Sequence, residues 1–297
     1  MIDLATPRDF VVLGDNADVL PTLADGAFQL VYVDPPFNTG SIRRQRTVVV
    51  RRDEEGDRVG FGGHRYRTIG AGTHAFADSF ADSFADYAGF LGPRLVHARR
   101  LLSDDGTLYV HLDYREAHYV KVLLDEIFGR DCFLNELIWA YDFGGRSRDR
   151  WPAKHDTILV YVRRAGAHHF DRTAVDRIPY MAPGLVTPEK AARGKLPTDV
   201  WWHTIVPTSG AERTGYPTQK PAGVLRRIVQ ASSAPGRRVL DFFAGSGTTG
   251  AVSRELGRHF VLVDDNPEAL SVMRRRLGGD GVAYVAADGS PLPPSRG

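Results

Sequence analysis

The chain has 297 residues, 42% hydrophobic and 25% charged, with a formal net charge of +2, a balance that fits a soluble globular protein with a sizeable core. No apolar run approaches the roughly 18 residues that cross a bilayer, Met1-Ile2-Asp3 begins no signal-peptide pattern, and a cytoplasmic protein without a membrane partner is expected. The single cysteine, Cys132, excludes an internal disulfide and a paired-cysteine zinc site, and the weak net charge requires any nucleic-acid affinity to come from local basic clusters.

Residues 10–15 read as a short buried strand closed by Gly14, and residues 15–23 as a short helix. Val31-Tyr32-Val33 then has the β-branched and aromatic character of a buried strand. Pro35 and Pro36 fix φ and lack N–H groups, so this strand must end at Asp34. In an open α/β sheet such a strand end faces the ligand crevice. The turn Asp34-Pro35-Pro36-Phe37 would present a carboxylate, a carbonyl and an aromatic face there, although Asp-Pro-Pro is also an ordinary strand terminator.

The periodicity dissolves over residues 38–75, where Arg43, Arg44, Arg46 and further arginines lie among many glycines. This reads as a long basic loop suited to clamping phosphates. The tandem Phe-Ala-Asp-Ser repeat spaces Phe76, Phe80 and Phe84 along one helical face, as core packing. A helix over about residues 87–102 follows, which Gly92-Pro93 could split. Residues 107–112 form another strand and 116–128 an amphipathic helix with Val120, Leu123, Leu124 and Ile127 inward. His111, Asp113 and His118 read as hydrogen-bonded structural groups, and no metal site is expected.

Two strands, 134–141 and 156–162, flank a loop carrying Arg146, Arg148, Arg150, Trp151 and Lys154. Clustered cations with an interleaved tryptophan suit phosphate contact and base stacking, which makes this loop the best nucleic-acid candidate. Residues 163–215 read as an irregular insertion facing the substrate, with Trp201 and Trp202 as packing anchors. A helix over 222–232 leads to the strand 239–243 and to Gly245-Ser246-Gly247-Thr248-Thr249-Gly250. This G-x-G-x-x-G opens a helix and precedes a strand ending at Asp264, about 20 residues on, which completes a βαβ nucleotide-binding half.

A phosphate-binding P-loop would need Lys-Ser/Thr after the last glycine, where Ala251 stands. A dinucleotide dehydrogenase would need a second nucleotide-binding half, and only 47 residues follow Gly250. A binding-only module would explain the basic loops without requiring a nucleotide fold. An S-adenosylmethionine site accounts for both the glycine loop and the Asp34 turn.

Asp34-Pro35-Pro36-Phe37 together with Asp241-Phe-Phe-Ala-Gly-Ser-Gly-Thr-Thr249 resembles the DNA amino-methyltransferases, in the permuted (beta) group whose catalytic motif precedes its cofactor motif. Leu13-Gly14-Asp15, Val110-His111-Leu112-Asp113, Tyr216-Pro-Thr-Gln-Lys-Pro221 and Val263-Asp264-Asp265-Asn266 resemble further motifs of that family in the expected order. The resemblance implies an α/β, Rossmann-like methyltransferase fold: a mostly parallel seven-stranded sheet with an antiparallel edge strand, in one domain over residues 1–297. It implies that the strands ending at Asp34 and Asp241 lie side by side.

It further implies that S-adenosyl-L-methionine is held by Asp15 at the adenine, by Asp264 at the ribose and by Thr218 and Lys220 at the methionine carboxylate. Asp34, Asp241, Phe243, Gly245, Gly247, Thr248 and Thr249 would line the same site. Asp34 and the Pro35 carbonyl would accept the two amino hydrogens of a flipped base, with Phe37 stacked on its ring. The substrate implied is double-stranded DNA, with adenine N6 as the target. Cytosine N4 is the first alternative, amino groups of RNA or protein the second, and a noncatalytic DNA-binding module the third. C5-cytosine methylation is disfavoured, because Cys132 follows Asp131 and lacks the preceding proline of that chemistry. A homodimer and a cognate restriction endonuclease are the candidate protein partners.

Overall fold

The computed structural model of the protein describes residues 2–4, 6, 9–37, 41–52, 58–59, 65–78, 84–144, 146–207 and 210–294, and for most of 41–85 the backbone alone. The chain divides into two compact units, Met1–Pro35 with Ala88–Gly297, and Pro36–Tyr87.

The larger unit is built on a nine-stranded sheet. Its strands are β1 (Asp9–Leu13), β2 (Phe28–Val33), β6 (Leu102–Leu112), β7 (Phe133–Ala140), β8 (His155–Val162), β9 (Val200–Trp202), β10 (Arg238–Asp241), β11 (His259–Asp264) and β12 (Val282–Ala286). They lie in the order β12-β1-β11-β10-β2-β6-β8-β7-β9. From β12 to β6 all neighbours are parallel, and β8 alone runs against both of its neighbours. The mostly parallel α/β sheet expected from the sequence is therefore present. The inner seven strands match that expectation in number, with β12 and β9 added at the edges. The antiparallel strand lies one place inside the β7 edge of those seven.

Near-continuous apolar runs such as Phe28–Val33, buried at every position, arise because a parallel sheet is covered on both faces. On one face, α5 (Ala222–Ser232) and α6 (Thr248–Glu255) pack Val224, Leu225, Ile228 and Val252 against Leu30, Tyr32, Ile158 and Val160. Beside them α7 (Pro267–Leu277) sets Ala269, Met273 and Leu277 against Phe260 and Leu262. Tyr161 alternates to the opposite face, where its hydroxyl donates to Asp125 of α3 (Ala117–Phe128) at 2.6 Å. On α3 the fully inward residues are Ala117, Val120, Leu124 and Phe128, with Leu123 and Ile127 only partly covered.

The first connection is short, as expected: α1 (Asn16–Val19) and a 3₁₀ turn at Leu20–Thr22 join β1 to β2. The helix α2 (Phe84–Leu101) is continuous through Pro93 and is not split. Pro93 cannot donate to the carbonyl of Gly89, but Gly89 is exposed, so water can take over that carbonyl.

The smaller unit corrects the expectation of a long loop over 38–75. Where described, it is a three-stranded antiparallel sheet of β3 (Ser41–Arg52), β4 (Arg58–Val59) and β5 (Arg65–Asp78), in the order β3-β5-β4. The ladder between β3 and β5 needs no apolar stripe, because backbone hydrogen bonds carry it. The helical reading of the Phe-Ala-Asp-Ser repeat fails with it: Phe76 is in β5, Phe84 begins α2, and Phe80 lies outside the described residues. In the same unit the Tyr87 hydroxyl donates to the Pro36 carbonyl at 2.9 Å.

The 163–215 insertion is largely irregular, with a short helix α4 (Pro188–Arg193). It is tied to the sheet through β9, whose Trp201 pairs with Trp139 of β7. Trp201 packs into the core, as expected of an anchor, and its indole donates to the Thr198 carbonyl at 2.6 Å. Trp202 does not pack: it alternates outward and is 74% exposed.

Candidate active site

The strand β10 ends at Asp241, and the chain turns through Gly245 and Gly247, both with left-handed φ of +51° and +71°, into α6. A Cβ at Gly247 would stand 2.7 Å from Met273 of α7, and one at Gly250 would stand 2.7 Å from Leu262 of β11. Those two glycines thus allow close packing of the loop and helix, while Gly245 lies under Tyr216, 3.2 Å from where its Cβ would be.

Several residues expected at the cofactor surface bond within the loop itself. Asp241 is buried and accepts from Phe243 N at 3.0 Å and from the Thr249 hydroxyl at 2.6 Å, so its carboxylate is consumed by the turn it terminates. Burial pushes the Asp241 carboxyl up to about 7 against the pull of those hydrogen bonds, with the charges of Asp34 and Asp264 adding to the rise. Thr248 is also buried. Its hydroxyl donates to the Lys220 carbonyl at 3.2 Å and receives Arg276 at 2.8 Å. Asp241, Thr248 and Thr249 thus brace the loop through their side chains, and Gly247 packs it against α7.

The half-exposed groups at this sheet end are Phe243, Gly245, Asp264 and Asp15. Asp264 accepts from Gly245 N at 2.7 Å and from Asn266 N at 3.0 Å, one bond to each oxygen, which leaves each oxygen a further lone pair. Its carboxyl is raised to about 6 by burial, against those two hydrogen bonds and with the Asp265 charge adding. Asp15 caps α1 through Ala17 N at 2.8 Å and pairs with Arg94 at 3.0 Å, with its side chain still 53% exposed. Asn16 donates to the Phe242 carbonyl at 2.6 Å, which fastens the end of β1 to the end of β10. Asp288, two residues past the end of β12, accepts from Ser290 N at 2.8 Å.

β2 lies against β10, with Leu30 opposite Val239 and Val31 opposite Leu240, so Asp34 emerges beside the glycine loop. This is the juxtaposition expected of motifs 207 residues apart. Asp34 is paired through Oδ2 with the Lys220 ammonium, and the two side chains are only 15% and 13% exposed. Its Oδ1 is buried without a hydrogen-bond partner among the described residues. Lys220, expected at a methionine carboxylate, is thus already engaged across the site. Thr218 is partly covered in the turn that Gln219 N closes on the Tyr216 carbonyl at 3.4 Å.

Elsewhere in this unit, Arg146, Arg148 and Arg150 are exposed and Trp151 is 95% exposed, while Lys154 reaches the Gly144 carbonyl at 3.3 Å. The side chains of Arg43, Arg44 and Arg46 lie outside the described residues, although their backbone is part of β3.

A DNA methylase family model matches residues 28–275, most of the chain and both strand ends. The chain belongs to the DNA methylase family. Among its relatives, the DNA adenine methyltransferase YhdJ of Escherichia coli (strain K12) is 30% identical over 191 residues, 62% of this chain and 64% of that protein. The type II methyltransferase M.HpaI of Haemophilus parainfluenzae is 30% identical over 205 residues, 68% of this chain and 63% of its own length. The chain thus spans slightly under two thirds of these relatives.

Solved structures share the fold at low identity. The PvuII DNA methyltransferase, cytosine-N4-specific, aligns with a TM-score of 0.62 at 15% identity over 92% of this chain and 87% of its own. A putative DNA modification methylase from Thermus thermophilus, complexed with S-adenosyl-L-methionine, aligns at 0.56 and 17% identity over 93% and 99%.

Sequence reasoning missed Arg94, Asn16 and Arg276, which carry no local signal because their partners are distant in the chain. It also left Tyr216 without a role, although Tyr216 stands inside a quoted motif and covers Gly245.

Proposed function

We propose that this protein transfers a methyl group from S-adenosyl-L-methionine to an exocyclic amino group in double-stranded DNA, with adenine N6 as the target. The observation that carries the proposal is the buried, unpartnered Oδ1 of Asp34 at a strand end paired with the glycine-loop strand. An amino nitrogen conjugated to a base is a poor nucleophile. Asp34 Oδ1 and the Pro35 carbonyl would each accept one of its hydrogens and hold the lone pair out of the ring. Phe37, next in the same turn, would stack on the flipped base.

The donor set suits the cofactor. Carboxylates at the ends of β1 and β11 accept hydrogen bonds from amino and hydroxyl groups, so Asp15 and Asp264 suit the adenine and ribose of an adenosine. Phe243 and Gly245 would line the same surface, with Thr218 and Lys220 toward the methionine carboxylate. When bound, the sulfonium supplies the methyl group. The exposed cations Arg146, Arg148 and Arg150 with Trp151, and Arg43, Arg44 and Arg46 of the smaller unit, would contact DNA.

The 30% identity to a DNA adenine methyltransferase supports adenine over cytosine. Likeness to a type II methyltransferase supports a cognate restriction endonuclease as partner. No described helix is long and apolar enough to cross a membrane. The proposed place of action is the cytoplasm. A homodimer is the proposed assembly, to be checked by sedimentation.

Labelled S-adenosylmethionine and DNA, followed by nucleoside digestion, test the reading. N6-methyladenine is expected. N4-methylcytosine would transfer the proposal to the other base, and label in protein or RNA but never in DNA would overturn it.

A further inference from the structure

Beneath Asp34 runs a chain of buried polar groups that the proposed chemistry does not use directly. Tyr32 precedes Asp34 by two residues on β2, and alternation puts both side chains on one face of the sheet. The Tyr32 hydroxyl lies 2.8 Å from His111 Nδ1, and His111 Nε2 lies 3.1 Å from Asp156 Oδ2. Asp156 Oδ1 in turn accepts from the Tyr141 hydroxyl at 3.0 Å. The chain crosses β2, β6 and β8 in sheet order and ends just after β7. Tyr32 and His111 are 2% and 0% exposed.

The hydrogen-bond inventory fixes one end of it. An ionised carboxylate only accepts, so His111 donates from Nε2 to Asp156, and Nδ1 shares the remaining bond with the Tyr32 hydroxyl. Burial alone would raise the Asp156 carboxyl, but the bond and charge of His111, the nearby charge of Lys220 and the Tyr141 bond hold it below its usual range. Lys220, which pairs with Asp34, is thus also within electrostatic reach of Asp156. Tyr32 is also edge-on to His111, and His111 to Trp139, with ring centroids 6.3 and 5.4 Å apart. The imidazole has little room to turn.

We infer that Tyr32, His111 and Asp156 are positioning residues for Asp34: they lock the end of β2 and hold Lys220 on Asp34 Oδ2, so that Oδ1 is presented to the substrate amino group. The inference rests on the function proposed above. Its test pairs variants of the relay, Tyr32→Phe and Asp156→Asn, with the control Tyr109→Phe. Tyr109 is the register partner of Tyr32 on β6 and loses a comparable buried phenol hydrogen bond, 2.7 Å to Ser232, away from the site.

Thermal melts, cofactor affinity, single-turnover methyl transfer to DNA, and the ¹⁵N-ammonium resonance of Lys220 are measured on each purified full-length protein. The relay variants should bind cofactor within about threefold of wild type and lose about 10- to 100-fold in the single-turnover rate, while Tyr109→Phe loses less than about threefold at a similar drop in stability. The Lys220 resonance should shift in both relay variants and stay in place in Tyr109→Phe. Equal rate losses in Tyr32→Phe and Tyr109→Phe, or a loss confined to KM for DNA, would overturn the inference. So would an unmoved Lys220 resonance. If wild-type protein methylates no DNA, the functional reading fails by itself, and the resonance still decides whether the relay holds Lys220.

Discussion

Asp34 and Asp241 are the carboxylates at the ends of two paired strands, and the protein treats them in opposite ways. Asp241 has both oxygens occupied by its own turn. Asp34 has one oxygen on Lys220 and the other unpartnered among the described residues. The first braces its own turn and the second keeps an oxygen open, although both close an apolar strand and look alike in sequence. What separates them is the next few residues: a glycine loop folds back to supply donors to Asp241, whereas Pro35 and Pro36 have no N–H to offer Asp34.

Substitution at each acid should sharpen the contrast. Asp34→Ala is expected to lower single-turnover methyl transfer about 100-fold or more while leaving cofactor affinity within about threefold, measured by quench-flow and calorimetry. Near-normal turnover would erase the distinction. Asp241→Ala should act through stability, because it strands the Thr249 hydroxyl and Phe243 N. A loss of about 2–4 kcal/mol by chemical denaturation is expected, with cofactor binding weakened as the loop loosens. Gly247→Ala should cost about 1–3 kcal/mol, since it meets both the left-handed φ and Met273.

Asp241 also links stability to pH. The folded-state value of Asp241, about 7, lies above the unfolded one, so the folded protein binds the extra proton between roughly pH 4 and 7. Its contribution to stability is present below pH 4 and is lost as pH rises through 7. Asp241→Asn, which removes that charge, should flatten the decline, as a pH series of denaturation midpoints would reveal. The smallest effect concerns the surface. Replacing Arg146, Arg148 and Arg150 together by alanine should leave single-turnover chemistry on saturating DNA intact and reduce the slope of log affinity against log salt by up to about 3.

The sequence disclosed those parts of the site that are local. The β10, glycine-loop and α6 unit could be read because strand, turn and helix follow within a few residues of one another. The Asp34 turn could be read because two prolines announce it. The fold class followed from apolar runs that a two-sided parallel sheet requires. The sheet of β3, β5 and β4 was invisible, because its arginines and glycines carry no apolar period and its ladder is a matter of backbone pairing. The Lys220–Asp34 pair spans 186 residues and the Tyr32–His111 contact 79. Neither member of those pairs predicts the other until the sheet is formed. The glycine fingerprint named the loop correctly, but it does not separate a buried brace from a binding group, because both use the same polar side chains.

The pairing of β2 with β10 also governs when the site comes into being. A chain made from its amino terminus presents the Asp34 turn long before β10, Lys220 or the glycine loop exists, since β10 begins at Arg238. β1 likewise waits for β11 and β12, which flank it. Contacts so distant in the chain form slowly, and the early strands must be sheltered until their neighbours arrive. The Asp34 turn and the glycine loop beside it are thus completed together, once β10 has paired with β2. An unfinished chain carries the motif of Asp34 without the partners that give it chemistry.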